Sequence, residues 1–456
     1  MINYDPQASE VNNNIAQTEA QTLAEIAAGP YPSLLNGPLS TLGKAMLYDV
    51  NLSSNGLAAC ATCHVAREGF SGGVSTFNLL AVDSPGVIGE RINNRKPQTY
   101  GYATYAPVLS YRPSTGDFVG GNFWDMRATG LVTGNPASDQ ALGPVVNPSE
   151  MANPDVACVV WHIAQRPYAA LFEAQFGTGS LSVAWPADTA SICSQPGGQD
   201  ADTAQPVNLS GTQRTQVMEA FKNYGRAIAA YEASSEVSPF TSKFDYYTNG
   251  QASLSPTEKQ GYNLFIGKAN CSSCHAASGP QPLFTDFTAV NLGIPRNNSL
   301  PWYNENVADS YGFVANPAGA AFIDEGVGDF LSKSGNADWM SRAENFMGSF
   351  KTATVRNAAQ QRPGVSVKNY MHNGYFESLK QVVHFYNTAG ALPTCPASAV
   401  SPTGIPVIGP VGTQCWPAPE EPRNVNRKQL GNLGLSDQEE NAIVAFLGTL
   451  SDGYTP

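Results

Sequence analysis

Two mainly α-helical domains with long loops and little β structure are what this sequence predicts, on three observations. The chain has 456 residues, more than one ordinary hydrophobic core organises, so two domains are the default. Charged residues make up only 14 % while Gly (43) and Pro (33) are abundant, which points to a loop-rich globular protein. A short motif of two cysteines and a histidine occurs once in each half: AACATCHVAREGFSGG at 58–73 and NCSSCHAASG at 270–279.

The elements follow in order. TEAQTLAEIA (18–27) and LGKAMLYD (42–49) have helix-compatible apolar spacing, and the first motif comes soon after. A stretch dense in Gly, Asn and Pro then runs to about residue 153. DVACVVWHIAQRPYAALFEAQFG (155–177) reads as helix interrupted near Pro167, and 211–234 as one long amphipathic helix. Residues 238–253 look like a connector, which sets the domains at 1–237 and 238–456. The second half opens with Ser255-Pro256-Thr257-Glu258, a capping box with Pro in the first turn, and its helix runs into Cys271. Ser436 to Glu439 starts the last helix in the same way. Between them lies a Pro-rich insertion at 393–422. β-Strand signals are few.

Composition excludes some functions. A net charge of −12 argues against a nucleic-acid partner, because phosphate binding needs clustered Lys and Arg. No apolar run is long enough to span a membrane. The start, MINYDPQASEVNNN, shows no charged region followed by an apolar stretch, so no signal peptide is visible. Eight cysteines divide into four within the motifs and four outside. Pairing the latter by proximity gives Cys158–Cys193 and Cys395–Cys415, each contributing roughly 3 kcal/mol in an oxidising compartment. Four unpaired thiols are the alternative.

Zinc, a redox dithiol and covalent haem compete for the motifs. Two C-x-x-C pairs could share one zinc, but the histidine that follows each pair is then unexplained. A thioredoxin-like dithiol needs a βαβ context that neither motif has. A c-type haem uses every position: Cys60 and Cys63, or Cys271 and Cys274, bind the porphyrin vinyls, while His64 or His275 reaches the iron. The reading is therefore two c-type cytochrome domains with two covalently bound haems. Such haems are attached outside the cytoplasm, in bacteria the periplasm, which implies a signal peptide already removed. Only His162, His372 and His384 remain as further imidazoles.

With these residues in view, the chain resembles the bacterial dihaem cytochrome c peroxidase and MauG family. Matching stretches run in order from LGKAMLYDVNLSSNGLAACATCH through NFWDMRA (122–128) and QALGPVVNPSEM (140–151). LSPTEKQGYNLFIGKANCSSCH, FTDFTAVNLGIPRNN (284–298), FKTATVRNAA (350–359) and YMHNGYFESLKQVVHFYN (370–387) continue the match. The resemblance implies that the N-terminal haem binds hydrogen peroxide in a pocket carrying Gln140, Pro144 and Glu150. Glu150 is the expected proton carrier between the two peroxide oxygens, Gln140 a hydrogen-bond donor, and Pro144 apolar bulk. Trp124 is expected between the haems, passing oxidising equivalents.

Two positions discriminate within the family. Many of the peroxidases carry a distal His sixteen residues after the first proximal one, and here that position is Leu80. The N-terminal iron is thus expected open in the resting ferric form. The second haem's distal ligand, Met in the peroxidases and Tyr in MauG, falls on Tyr386, fourteen after His372. A phenolate favours ferric and higher states, whereas a thioether favours ferrous iron. His384 and Met371 are the competing ligands, and His372 is expected to line the pocket. The surface Trp that MauG uses toward its substrate is Ala269 here, leaving Trp302, Trp339 and Trp416 as unranked exits. The family's calcium site matches best at Asn94, one position out of register.

The expected function is a periplasmic dihaem oxidoreductase that activates hydrogen peroxide to high-valent iron. It would then oxidise a partner at long range, an aromatic residue of another protein. Two alternatives stay open: a cytochrome c peroxidase detoxifying peroxide with electrons from a small cytochrome or copper protein, and a non-catalytic dihaem electron carrier.

Overall fold

The computed structural model describes residues 6–29, 37–72, 74–82, 85–201, 203–362, 366–396 and 411–456, the side chains of 79 and 80 excepted. The first half is built from α1 (Pro6–Ala28), α2 (Pro38–Leu47), α3 (Val156–Ala164), α4 (Ala169–Phe176) and α5 (Gly211–Glu232). The second is built from α6 (Pro256–Ile266), α7 (Leu379–Thr388) and α8 (Asp437–Gly448), with short helical turns linking both sets. Strand is confined to two antiparallel pairs, β1 (Ser110–Arg112) with β2 (Asp117–Val119), and β3 (Ala289–Val290) with β4 (Phe350–Lys351). The mainly α fold is as the sequence predicts. α1 starts earlier than its apolar spacing indicates, at Pro6.

Local chemistry sets the helix ends. Pro167 lies in the break between α3 and α4, where its ring would clash with the preceding turn and it has no N–H to donate. In α6, Ser255 Oγ accepts from Glu258 N while Glu258 Oε2 accepts from Ser255 N at 2.7 Å. Ser436 and Glu439 cap α8 identically. Each box satisfies two N–H groups that the first turn leaves without intrahelical partners.

Both halves cross two helices at a glycine. A Cβ on Gly43 in α2 would lie 1.9 Å from the Ala227 carbonyl oxygen in α5 and 3.0 Å from Tyr231 Cβ. A Cβ on Gly261 in α6 would lie 1.9 Å from the Ala442 oxygen in α8 and 2.8 Å from Phe446 Cβ. In each case the aromatic residue comes one turn after the alanine. No side chain fits at either crossing, so glycine is required there by close approach.

The largest buried cluster takes Leu42, Met46, Val159, Ile163, Phe221 and Ile228 among residues between Ala8 and Val237. A second takes Leu264, Phe265, Phe284, Ile443 and Phe446 among residues between Phe244 and Leu450. A smaller third cluster packs Leu109, Phe118 and Met126 from the first half against Val327, Leu331 and Phe346 from the second. Backbone bonds reinforce that crossing, from Gly120 N to Phe287 O (2.9 Å) and from Lys351 N to Trp124 O (2.8 Å). Trp124 therefore sits on a segment of the first half embedded in the second. The disulfides are Cys158–Cys193 and Cys395–Cys415, the expected pairs. Of the Pro-rich insertion, 397–410 lie outside the described residues.

Candidate functional site

Cys60 to Cys63 form one helical turn, and His64 follows it on the wall of a deep cavity in the first half. His64 Nδ1 lies 3.0 Å from the Phe70 carbonyl oxygen. A carbonyl only accepts, so Nδ1 carries the proton and the Nε2 lone pair is left for a metal. Burial pushes the imidazole down to about 4, so it is held neutral, as a ligand must be. Among the described residues it is the one histidine lining this cavity.

Gln140, Pro144, Glu150 and Trp124 line the same cavity. Gln140 lies in the helix Pro136–Ala141, which Asn135 caps, and the tight turns after it bring round Pro144 and Glu150. The Asn147 amide donates to Glu150 Oε1 at 2.7 Å. Burial raises the Glu150 carboxyl, while Arg127 and the Asn93 and Asn147 amides oppose that shift. Arg127 pairs with Asp125 at 2.7 Å and stacks 3.9 Å over Phe123. Leu80 ends a short helix at 75–80, and its side chain lies outside the described residues.

The second motif enters a second cavity. Asn270 turns the chain through the left-handed region (φ 52°), and Cys271–Ser273 make a tight turn. His275 Nδ1 lies 3.0 Å from the Phe284 carbonyl oxygen, the arrangement seen at His64. Burial again lowers the imidazole. Tyr386 from α7 lines this cavity together with Met371, Val382, Val383 and Leu435. Burial, then the Cys271 and Cys274 sulfurs, raise the Tyr386 phenol. His384 does not line it; its Nδ1 lies 2.8 Å from Glu440 Oε1 and its Nε2 2.6 Å from the Gly412 oxygen. His372 does line it, stacked 3.6 Å on Phe350, and burial pushes it down to about 3. His162, edge-on to Trp161 in α3, lines neither cavity.

Trp124 lines both cavities, as do Lys96, Pro97, Gln98 and Thr99. Its Nε1 donates to the Lys96 oxygen at 2.9 Å, and its ring lies 6.4 Å from His372. Asn94 lines the N-terminal cavity, its amide 3.5 Å from Asp324 Oδ2. Arg95 bridges Asp125 (2.6 Å) and Asp324 (2.7 Å) beside it. No group of three or more His, Cys, Asp or Glu able to hold a metal ion occurs among the described residues.

Sequence reasoning missed Glu232, which lines the N-terminal cavity with only 2 % exposure. Its signal was available. Val217, Phe221, Tyr224 and Ile228 follow one buried stripe of α5, and Glu232 is the next position on it. Burial raises its carboxyl strongly. Arg127 carried no comparable signal, because loop packing alone brings it to the wall.

Each cavity thus presents two motif cysteines that lie outside both disulfides and an adjacent imidazole whose Nδ1 is held by a backbone carbonyl. That donor set fits a covalent haem in each.

Comparison with known proteins agrees. A di-haem cytochrome c peroxidase family model matches residues 38–253. The methylamine utilization protein MauG of Paracoccus denitrificans is 33% identical over 421 residues, covering 91% of this chain and 88% of its own. A cytochrome-c peroxidase of Pseudomonas sp. strain SCT, IdrP1, is 30% identical over 205 residues, covering 43% of this chain and 47% of its own. The crystal structure of the diheme peroxidase BthA from Burkholderia thailandensis superposes with TM-score 0.63 at 25% identity, covering 91% of this chain and 86% of that one. No helix among the described residues is long and apolar enough to cross a membrane. Two haem-attachment cavities on repeated helix crossings and a MauG relative matched along nearly the whole chain lead to one conclusion: the chain is an enzyme of the di-haem cytochrome c peroxidase and MauG family, with two c-type haems.

Proposed function

We propose that this protein works in the periplasm as a MauG-like oxidoreductase, using hydrogen peroxide to oxidise an aromatic residue of a partner protein at a distance. The observation that carries the reading is the contrast in available ligands. Among the described residues the N-terminal cavity has no imidazole besides His64, whereas the C-terminal one is lined by Tyr386 as well as His275. When bound, the haems supply peroxide reduction and storage of the oxidising equivalents it leaves.

The chain's own groups do the rest. Glu150, buried and hydrogen-bonded by Asn147, takes the proton from the near peroxide oxygen and returns it to the departing one. Gln140 donates a hydrogen bond to the bound peroxide, and Pro144 keeps that wall apolar. Trp124, bordering both cavities, carries oxidising equivalents between them. Tyr386 would hold the second haem's iron together with His275, and His372 lines the same cavity. Residues 1–237 and 238–456 are the two haem domains, a division supported by buried clusters that end at Val237 and begin at Phe244. A calcium ion at Asn94 would use the amide oxygen, backbone carbonyls and water, since Arg95 already holds Asp125 and Asp324.

One equivalent of peroxide added to the resting ferric protein tests the reading. The expected result is a near-infrared charge-resonance band shared by the two haems. A protein that responds only after reduction would overturn it. A second reading, a peroxide scavenger fed by a small cytochrome or copper protein, draws support from the relative named a cytochrome-c peroxidase. Sustained turnover with such donors, and no modification of any co-purified protein, would favour it.

A further inference from the structure

Glu420 lines the C-terminal cavity. Its Oε1 accepts a hydrogen bond from the Tyr303 phenol at 2.7 Å. Tyr303 is only 5 % exposed, and the Arg296 guanidinium lies 3.6 Å over its ring. From Tyr303 the aromatic contacts run outward to half-buried Phe322 (6.3 Å) and on to Trp302 (5.6 Å). None of these residues takes part in haem attachment or lines the peroxide pocket.

We propose that Tyr303 and Glu420 form a proton-coupled redox relay through which an oxidising equivalent leaves the C-terminal cavity for the protein surface. The proposal rests on the function proposed above, which supplies the oxidant. In the step, Tyr303 gives one electron to the peroxide-derived oxidising equivalent held in the cavity. Its O–H bond breaks, and the proton forms a new O–H bond at Glu420 Oε1. A neutral phenoxyl radical and a neutral carboxylic acid result, and the oxidant is reduced by one electron.

Arg296 makes the coupling obligatory. A guanidinium stacked on the ring opposes any positive charge there, so electron loss without proton loss is disfavoured. Loss of both leaves the ring uncharged and escapes that penalty. Burial pushes the Glu420 carboxyl up to about 7, which suits a group that must take a proton and later release it near neutrality.

The other exits lack one part or another. Trp124 Nε1 donates to a backbone carbonyl and Trp416 Nε1 to the Thr388 hydroxyl, neither of them a base. Trp339 packs on Phe118 and Phe330 and lines neither cavity. Tyr102 and Tyr168 do bond carboxylates, of Asp452 and Asp49, but neither pair lines a haem cavity.

The test is freeze-quench electron paramagnetic resonance on the dihaem protein after one equivalent of hydrogen peroxide, grown with and without ring-deuterated tyrosine. A radical signal that narrows on deuteration is expected, and it is lost in Tyr303→Phe and in Glu420→Gln while the near-infrared band still forms in both. A signal that persists in Tyr303→Phe, or a band without any tyrosyl signal in the natural protein, overturns the relay. If the band itself is missing, the functional reading fails instead. Flash-quench oxidation by a ruthenium photo-oxidant then decides the relay: tyrosyl yield must drop in Glu420→Gln, and an unchanged yield overturns it.

Discussion

The two haem cavities share a frame and differ in what they present to it. Gly43 against Ala227 and Gly261 against Ala442 are the same close crossing, and His64 and His275 each give their Nδ1 proton to a phenylalanine carbonyl, of Phe70 and Phe284. Beyond that frame the N-terminal wall carries two buried carboxyls, Glu150 and Glu232, with the Gln140 amide and the Arg127 guanidinium. The C-terminal wall carries Tyr386, Met371, His372 and Glu420 together with leucines and valines. A repeated scaffold thus sets out the same attachment residues twice, while the segments facing it give the two cavities different side chains.

The sharpest way to break the comparison is Glu150→Gln. Losing a positioned proton carrier should slow the reaction with peroxide by about 10²- to 10⁴-fold, measured by stopped flow, with the C-terminal haem spectrum unchanged. In the natural protein this rate should fall as pH drops through the Glu150 pKa, which burial places above the usual carboxylate range, because the ionised base is the working form. That acid limb should vanish in the Gln variant. An intact rate would remove Glu150 from the role.

Tyr386→Met comes next. Replacing a phenol by a thioether should raise the C-terminal haem potential, by on the order of 0.1 V within the ~0.8 V that axial ligands span. Potentiometric titration reads the change, and an unmoved potential would mean Tyr386 is not the ligand. The shared frame is tested by Gly43→Ala and Gly261→Ala. Each forces a methyl against a backbone carbonyl and should cost about 1–3 kcal/mol in denaturant unfolding. Neutral substitution at either would show that the crossing is looser than described. The smallest effect concerns Asn94. Dialysis against a calcium chelator should leave the Arg95 bridge standing, so both haem spectra should change little beside Tyr386→Met.

Much of this was legible in the chain before folding. Capping residues such as Ser255 and Glu258 act on their own first turn, so they could be read where they stand. The haem motifs are equally local, since neighbouring residues supply both thiols and the imidazole. Gln140, Pro144 and Glu150 stood out through family spacing alone, and the structure gathers them on one cavity wall. Glu232 was hidden in an apolar stripe, and Arg127 and the Tyr303–Glu420 pair had no local signature at all. The last two residues are joined only by a contact across 117 positions.

Near-neighbour interactions and loop closure over a few tens of residues settled the two attachment motifs, the capped helix starts at Ser255 and Ser436, the disulfide pairs and the mainly α class, and all of these could be read from the chain alone. Tertiary structure alone decided that Trp124 borders both cavities and that His384 is turned away from the second one. It also decided that a carboxylate on the insertion meets a phenol from a distant loop. Those outcomes depend on how buried surfaces pack across the two halves, and packing is a property of the assembled core rather than of any segment.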